Sequence, residues 1–262
     1  MTYKINARHL ILDLLYASPD TTTSIKRILC AAQILGISEN GVRVAVTRLN
    51  QDNVIQTVGR GMYQLVEKKF DTTGISLNKT RNMHLSDHWN GQFILVYTGH
   101  LGRIDRTALA KREKALAYYG LKELEQNLFI RPDNLGLDFI EFKKNITQFG
   151  LDTEVHFFRV NQLENEEQIQ QLWDIDDLNQ KYYEMIQNIE QWFARADQLD
   201  LKDAAISALH IGKKGIFLLR SDPLLPEEWA NVKIRKDCEI IVQKMEKKGQ
   251  ELWQKIFAEH QV

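Results

Sequence analysis

Asn40, Arg43, Val44, Thr47, Arg48 and Gln51 fall within twelve consecutive positions and are side-chain types that read double-stranded DNA when one helix carries them. Arginine pairs bidentately with guanine, asparagine or glutamine with adenine, and valine or threonine touches the thymine methyl in the major groove. The spacing separates them from an apolar stripe. Val42, Ala45, Val46 and Leu49 form an i, i+3, i+4, i+7 set that packs inward, leaving the other six outward. Arg60, in the string Gly59-Arg60-Gly61, is a further candidate, placed where an arginine reaches a phosphate or the minor groove.

The elements that must hold these residues are also legible. Ala7, Leu10, Ile11 and Leu14 repeat the helical stripe, as do Ile25, Ile28, Leu29 and Ala32. Between the second and third helices, Gly36 suits the left-handed conformation that ends a helix. Ile37 plugs the corner, and Ser38 is an N-cap that also stands at the DNA-facing start of the third helix. Val54 to Val58 and Met62 to Val66 then read as two strands around a glycine turn, a hairpin with Arg60 at its tip. Helix, tight turn, capped helix and hairpin make a winged helix-turn-helix over residues 1–69.

Charge supports this division. The chain has 262 residues and a formal net charge of −1, but residues 1–69 hold nine Lys/Arg against five Asp/Glu, and the remainder carries a net of −5. A small basic module on an acidic body is one footprint of a DNA-binding domain joined to something else. With 44% hydrophobic and 26% charged residues the composition is that of a globular protein, neither collagenous nor largely disordered. No apolar run approaches the length that spans a bilayer, and Met1 to Ala17 lacks the pattern of a secretory signal. Cys30 and Cys238 lie far apart in apolar-periodic segments, which points to reduced thiols and a cytoplasmic protein.

Residues 70–88 read as a linker. The strand Phe93 to Thr98, the helix Arg106 to Tyr119, the strand Leu128 to Ile130, the helix Leu137 to Phe149 and the strand Glu154 to Val160 follow. This β-α-β-α-β order, with room for a weak fourth strand, fits a ferredoxin-like α/β sandwich over 89–163. Residues 164–262 are expected to be helical: Gln168 to Leu199, Asp203 to Arg220 with interruptions at Gly212 and Gly215, and Val232 to Ala258. The expected fold class is α+β, multidomain.

Several strings are shared with one known family. GISENGVRVAVTRL (Gly36 to Leu49), Trp89, LFIRP (Leu128 to Pro132), WDIDDLNQKY (Trp173 to Tyr182) and DPLLPEEW (Asp222 to Trp229) occur in the order seen in PaaX proteins, which the chain resembles over nearly its whole length. These are bacterial repressors of aromatic-acid catabolism, best known for phenylacetic acid. The resemblance implies a winged helix, a Cas2-like ferredoxin domain and a helical C-terminal domain. It further implies a homodimer on a DNA operator, and release by an acyl-CoA thioester such as phenylacetyl-CoA. The chain departs from the family pattern at Leu209 to Gly215, where a His-Glu-Tyr-Arg-like string is replaced, and at Lys122-Glu123, where apolar residues are usual. A different small-molecule effector fits these departures.

Candidate effector contacts are the basic residues that could meet an anionic ligand: Arg103 and Arg106, with Lys111 and Arg112 beside them, and His210, Lys213 and Lys214. A pocket between the middle and C-terminal domains would suit such a ligand. Other chemistries find less support. Gly212-Lys213-Lys214-Gly215 lacks the P-loop spacing, and neither a Gly-x-Ser-x-Gly elbow nor His-Glu-x-x-His occurs. The first strand of the ferredoxin-like segment ends in Tyr97-Thr98-Gly99, without the carboxylate that a Cas2-like nuclease needs for its metal. His84 and His88, with Asp87, have ligand spacing on a helix but no further His or Cys nearby, so no metal and no cofactor is expected. The expected protein is not an enzyme. The alternatives are a nuclease, an acyl-CoA-acting enzyme, or a scaffold that binds only protein.

Overall fold

Short polar caps and a few nonlocal pairings decide where the elements of this chain begin and end. The computed structural model describes residues 5–18, 20–66, 85–86 and 88–262. Asn6 opens α1 (Ala7–Ala17) by accepting the His9 backbone N–H at 2.9 Å, and Ser24 opens α2 (Ile25–Ile34) by accepting that of Arg27 at 3.2 Å. Gly36 follows α2 with φ +69°, and the Ile37 N–H returns to the Ala32 carbonyl at 2.8 Å. Ser38 then caps α3 (Glu39–Gln51), its Oγ accepting from the Gly41 N–H at 3.1 Å.

A three-stranded antiparallel sheet closes this group. Strands β2 (Ile55–Gly59) and β3 (Met62–Leu65) form the hairpin, and β1 (Thr22–Ser24) lies on the other side of β3, in the order β1-β3-β2. Leu10, Ile11 and Leu15 of α1, Ile28 and Ala31 of α2, Val42 and Leu49 of α3 and Ile55 of β2 are all buried. Leu12 and Leu15 are buried in α1 where Leu14 is only half-buried, so the inward band of this helix is wider than one stripe.

The second group of elements runs β4 (Phe93–Tyr97), α4 (Arg106–Tyr118), β5 (Lys122–Glu125), β6 (Leu128–Pro132), α5 (Phe139–Gln148) and β7 (His156–Val160). Its four strands are antiparallel in the order β5-β6-β4-β7. Ile94 and Val96 face a core with Ala115, Leu116, Phe142 and Ile146. Phe93 and Leu95 face another with Ile130, Trp173 and Leu225. Burial on both faces explains why β4 reads as a continuous apolar run. The fourth strand, β5, carries the charged residues Lys122, Glu123 and Glu125 at a sheet edge, where side chains stay in water.

Three long helices complete the chain, after the short α6 (Glu166–Gln170): α7 (Ile175–Arg195), α8 (Leu201–Ser221) and α9 (Val232–Glu259). The expected single helix from Gln168 to Leu199 is interrupted. Asp174 accepts the Asp177 N–H at 3.0 Å and starts α7 afresh, and a 3₁₀ turn at Ala196–Gln198 follows it. The expected interruptions at Gly212 and Gly215 are absent, and α8 runs through both. A Cβ on Gly215 would stand 2.5 Å from Val242 Cγ2, so this glycine lets α9 approach α8 and does not end a helix.

The chain divides into two compact units. One takes α1 to β3 with Ile186–Phe217 and Ile240–Val262. The other takes the elements from β4 to Met185 with Leu218–Glu239. The helices after residue 163 thus divide between the two units.

The three later shared strings, LFIRP, WDIDDLNQKY and DPLLPEEW, converge inside the second unit. The Arg131 guanidinium is buried and donates to the carbonyls of Pro132, at 2.8 Å, and of Tyr119, and to Asn134 Oδ1 at 2.8 Å. Asn134 Nδ2 in turn donates to the Leu224 carbonyl at 3.0 Å. Trp173 Nε1 donates to the Gly120 carbonyl at 3.1 Å. Gly120 has φ +71°, and a Cβ there would lie 2.5 Å from the Pro223 carbonyl oxygen. Gly120→Ala therefore combines a left-handed backbone with a backbone clash and is expected to lower stability by about 2–4 kcal/mol, read as a shift of the urea midpoint. An unchanged midpoint would show that the Pro223 segment gives way freely.

Candidate nucleic-acid interface

The α3 face is presented by the packing just described. Val42, Val46 and Leu49 are buried, and Ser38, Asn40, Arg43, Val44, Thr47, Arg48 and Gln51 are all exposed. Arg60 is also exposed, in the turn between β2 and β3. The eight residues named from the sequence thus lie in one unit, on one helix face and one hairpin tip. Ser38 has a structural duty as well, since its hydroxyl is the α3 cap. Arg43 Nε donates to Glu39 Oε1 at 3.0 Å, an exposed i, i+4 pair. Thr47 Oγ1 donates to the Arg43 carbonyl at 3.0 Å.

Two residues that sequence reasoning passed over join this surface. Val58 is 49% exposed on the hairpin strand next to Gly59, an apolar side chain facing water beside Arg60. Asn50 Nδ2 donates to Thr57 Oγ1 at 3.3 Å and ties α3 to the hairpin. The alternation of Val54 to Val58 could have flagged Val58, because it places that side chain opposite the buried Ile55.

The candidate effector residues fall into two sets. Arg103 and Arg106 are exposed in the second unit, where Asp105 caps α4 by accepting from the Thr107 N–H at 2.8 Å. Their neighbour Arg112 is buried and bonded to Asp152 at 2.7 Å, which makes it a structural residue. His210, Lys213 and Lys214 belong to the first unit and lie in α8. Lys213 is buried and paired with Asp13 of α1, whereas Lys214 is exposed. Burial and the two lysines hold the His210 imidazole below the usual histidine range.

Asp13 and Lys213 each pay for burial. Desolvation raises the Asp13 carboxyl to about 6 against the pull of Lys213, and it lowers the Lys213 ammonium against the pull of Asp13. In the second unit, Asp222 is buried beside Tyr182 and Arg235, with Arg235 Nε 3.7 Å from a carboxylate oxygen. Burial, then Asp222 and Glu239, push the Cys238 thiol up to about 12, which suits an inert core cysteine. His84 and Asp87, weighed above as metal ligands, lie outside the described residues. His88 is exposed, with Nδ1 3.6 Å from Glu227 Oε1.

These features define a mixed α/β protein of two compact units, with an exposed polar helix face on the first. No family profile matches the sequence, and no curated protein matches it. Among solved structures, the chain is similar to the uncharacterized protein Rv0674 from Mycobacterium tuberculosis, with a TM-score of 0.59 and 19% identity, over 94% of this chain and 98% of that one. A likeness at that identity concerns the fold. Among the described residues, no helix is long and apolar enough to cross a membrane.

Proposed function

We propose that the protein is a cytoplasmic, sequence-specific DNA-binding repressor of the PaaX type. In this reading α1 to β3 are a winged helix-turn-helix, β4 to β7 a ferredoxin-like (Cas2-like) domain, and the later helices its C-terminal domain. The observation that carries the reading is the single exposed face of α3 bearing Asn40, Arg43, Val44, Thr47, Arg48 and Gln51, with Arg60 exposed on the adjoining hairpin. One such helix reads only a few base pairs, so the protein acts as a homodimer on an operator with two-fold symmetry. Selection of genomic DNA fragments on the purified protein tests this. Enrichment of a palindromic site is expected, and retention of DNA without any shared sequence would overturn it.

Arg60 has a different role from the helix. A hairpin-tip arginine that meets phosphate adds affinity without sequence preference and releases counterions on binding. Arg60→Ala should weaken binding to all sequences alike and flatten the salt dependence by about one unit of slope. An unchanged slope would remove the phosphate role.

The effector is proposed to be an acyl-CoA thioester that binds the DNA-incompetent state and, by linkage, weakens operator binding by the same factor. Arg103 and Arg106 on the second unit, and His210 and Lys214 on the first, are two separate sets of groups that could meet an anionic ligand, each within its own unit. Lys213 already has its charge opposed by Asp13. Phenylacetyl-CoA, other acyl-CoAs, free CoA and free aromatic acids can be ranked by thermal shift, since a ligand of the folded state raises apparent stability by mass action. A shift with the thioester alone supports this class of effector, and one with free acids alone excludes it.

A further inference from the structure

His88, Glu227 and Glu228 come from distant parts of the sequence, yet one ligand atom of each lies within 4.8 Å of the others. We propose that these three side chains form a surface site for a divalent transition-metal ion, with zinc the best match. The inference is independent of the DNA-binding reading.

The donor set argues for the ion class. An imidazole nitrogen with two carboxylate oxygens is a zinc-type set, whereas calcium and magnesium take oxygen ligands. All three residues are exposed, so water can fill the remaining positions. The two consecutive carboxylates repel each other, and a dication relieves that repulsion.

The framework behind the ligands is fixed. Trp89, next to His88, donates from Nε1 to the Gln92 carbonyl at 2.7 Å. Trp229, next to Glu228, sits in a turn whose N–H groups at Trp229 and Ala230 both return to the Pro226 carbonyl, at 3.1 and 3.0 Å. The two indoles meet edge to face with centroids 5.0 Å apart. Two ligand-bearing segments are thereby held side by side by rings that are not ligands. The ion would clip the segment ahead of β4 to the loop after α8, both within the second unit.

The test uses metal-free full-length protein and zinc alone, followed by calorimetry. The expected result is one ion bound per chain through this cluster. His88→Ala should abolish that binding, and the Glu227→Gln/Glu228→Gln double variant should weaken it at least tenfold. Because the side chains face water, the variants should keep the wild-type melting point without metal and lose only its zinc-induced rise. Cobalt substitution gives a second readout, a visible spectrum without the thiolate charge-transfer band that a cysteine site would show. Absence of saturable binding in the wild type, or equal binding in His88→Ala, overturns the proposal. So does a thiolate band.

Discussion

Arg43→Ala/Arg48→Ala is expected to abolish operator recognition while leaving the fold intact. A bidentate arginine–guanine contact contributes about 1–3 kcal/mol of discrimination, so the pair together would cost about 30- to 10⁴-fold in affinity. Arg43 is held by Glu39 in the free protein, but an exposed i, i+4 ion pair is worth only about 0.3–0.5 kcal/mol, so a guanine outbids it. Stability should barely change, because both side chains are exposed and the α3 core residues Val42, Val46 and Leu49 are untouched. Gel shifts on the selected operator and on scrambled DNA make the check. Loss on the operator alone marks base reading, and equal loss on both marks phosphate contact. Wild-type affinity for the operator would remove α3 as the reading helix.

Local rules make this surface legible in the sequence. The α3 face follows from a helical period, a capping serine and a glycine in the left-handed region, all within a few residues of one another. The hairpin strands fall within a residue or so of Val54 to Val58 and Met62 to Val66 for the same reason. Strand β1 was not legible. Its residues, Thr22 to Ser24, carry no apolar alternation and become a strand only because β3 offers them partners. The β-α-β-α-β order leaves room for a weak fourth strand, but the charges of β5, which an edge position favours, keep it from being placed.

The nonlocal pairs were hidden more deeply. Gly212 and Gly215 look like helix breakers until α9 is placed against them. Arg112 looks like part of a solvated basic cluster until Asp152 is beside it. LFIRP and DPLLP mark the resemblance, but nothing in the strings themselves gives a physical reason for them. The structure supplies one: Arg131 and the nearby Asn134 hold the Leu224 carbonyl, and Gly120 makes room for Pro223. A buried guanidinium in a strand needs several acceptors, and beyond Pro132 and Asn134 close by, Tyr119 and the remote Leu224 supply carbonyls that the string LFIRP does not contain.

Lys213 is the sharpest case, and Lys213→Met is expected to be among the most destabilising single changes in the first unit. As a surface lysine it would be replaceable at little cost, within about 0.5 kcal/mol. Buried against Asp13, it is half of a pair whose disruption strands a carboxylate, at a cost of about 3–5 kcal/mol. The pH dependence separates this from lost packing. The folded Asp13 carboxyl is raised to about 6 from 3.8, mainly by burial and against the opposing influence of Lys213. A carboxyl raised on folding favours the native state below its unfolded value, and that contribution is lost as pH rises through about 6. Without Lys213 the carboxyl rises further, so at pH 5 the variant folds with a neutral Asp13 and loses less than at pH 8. Urea titrations at the two pH values should therefore diverge, and Asp13→Asn/Lys213→Met should recover most of the loss at pH 8. An equal loss at both pH values would mean that only packing was removed. The methionine variant should also leave any response to acyl-CoA largely in place, because the charge it removes already faces α1.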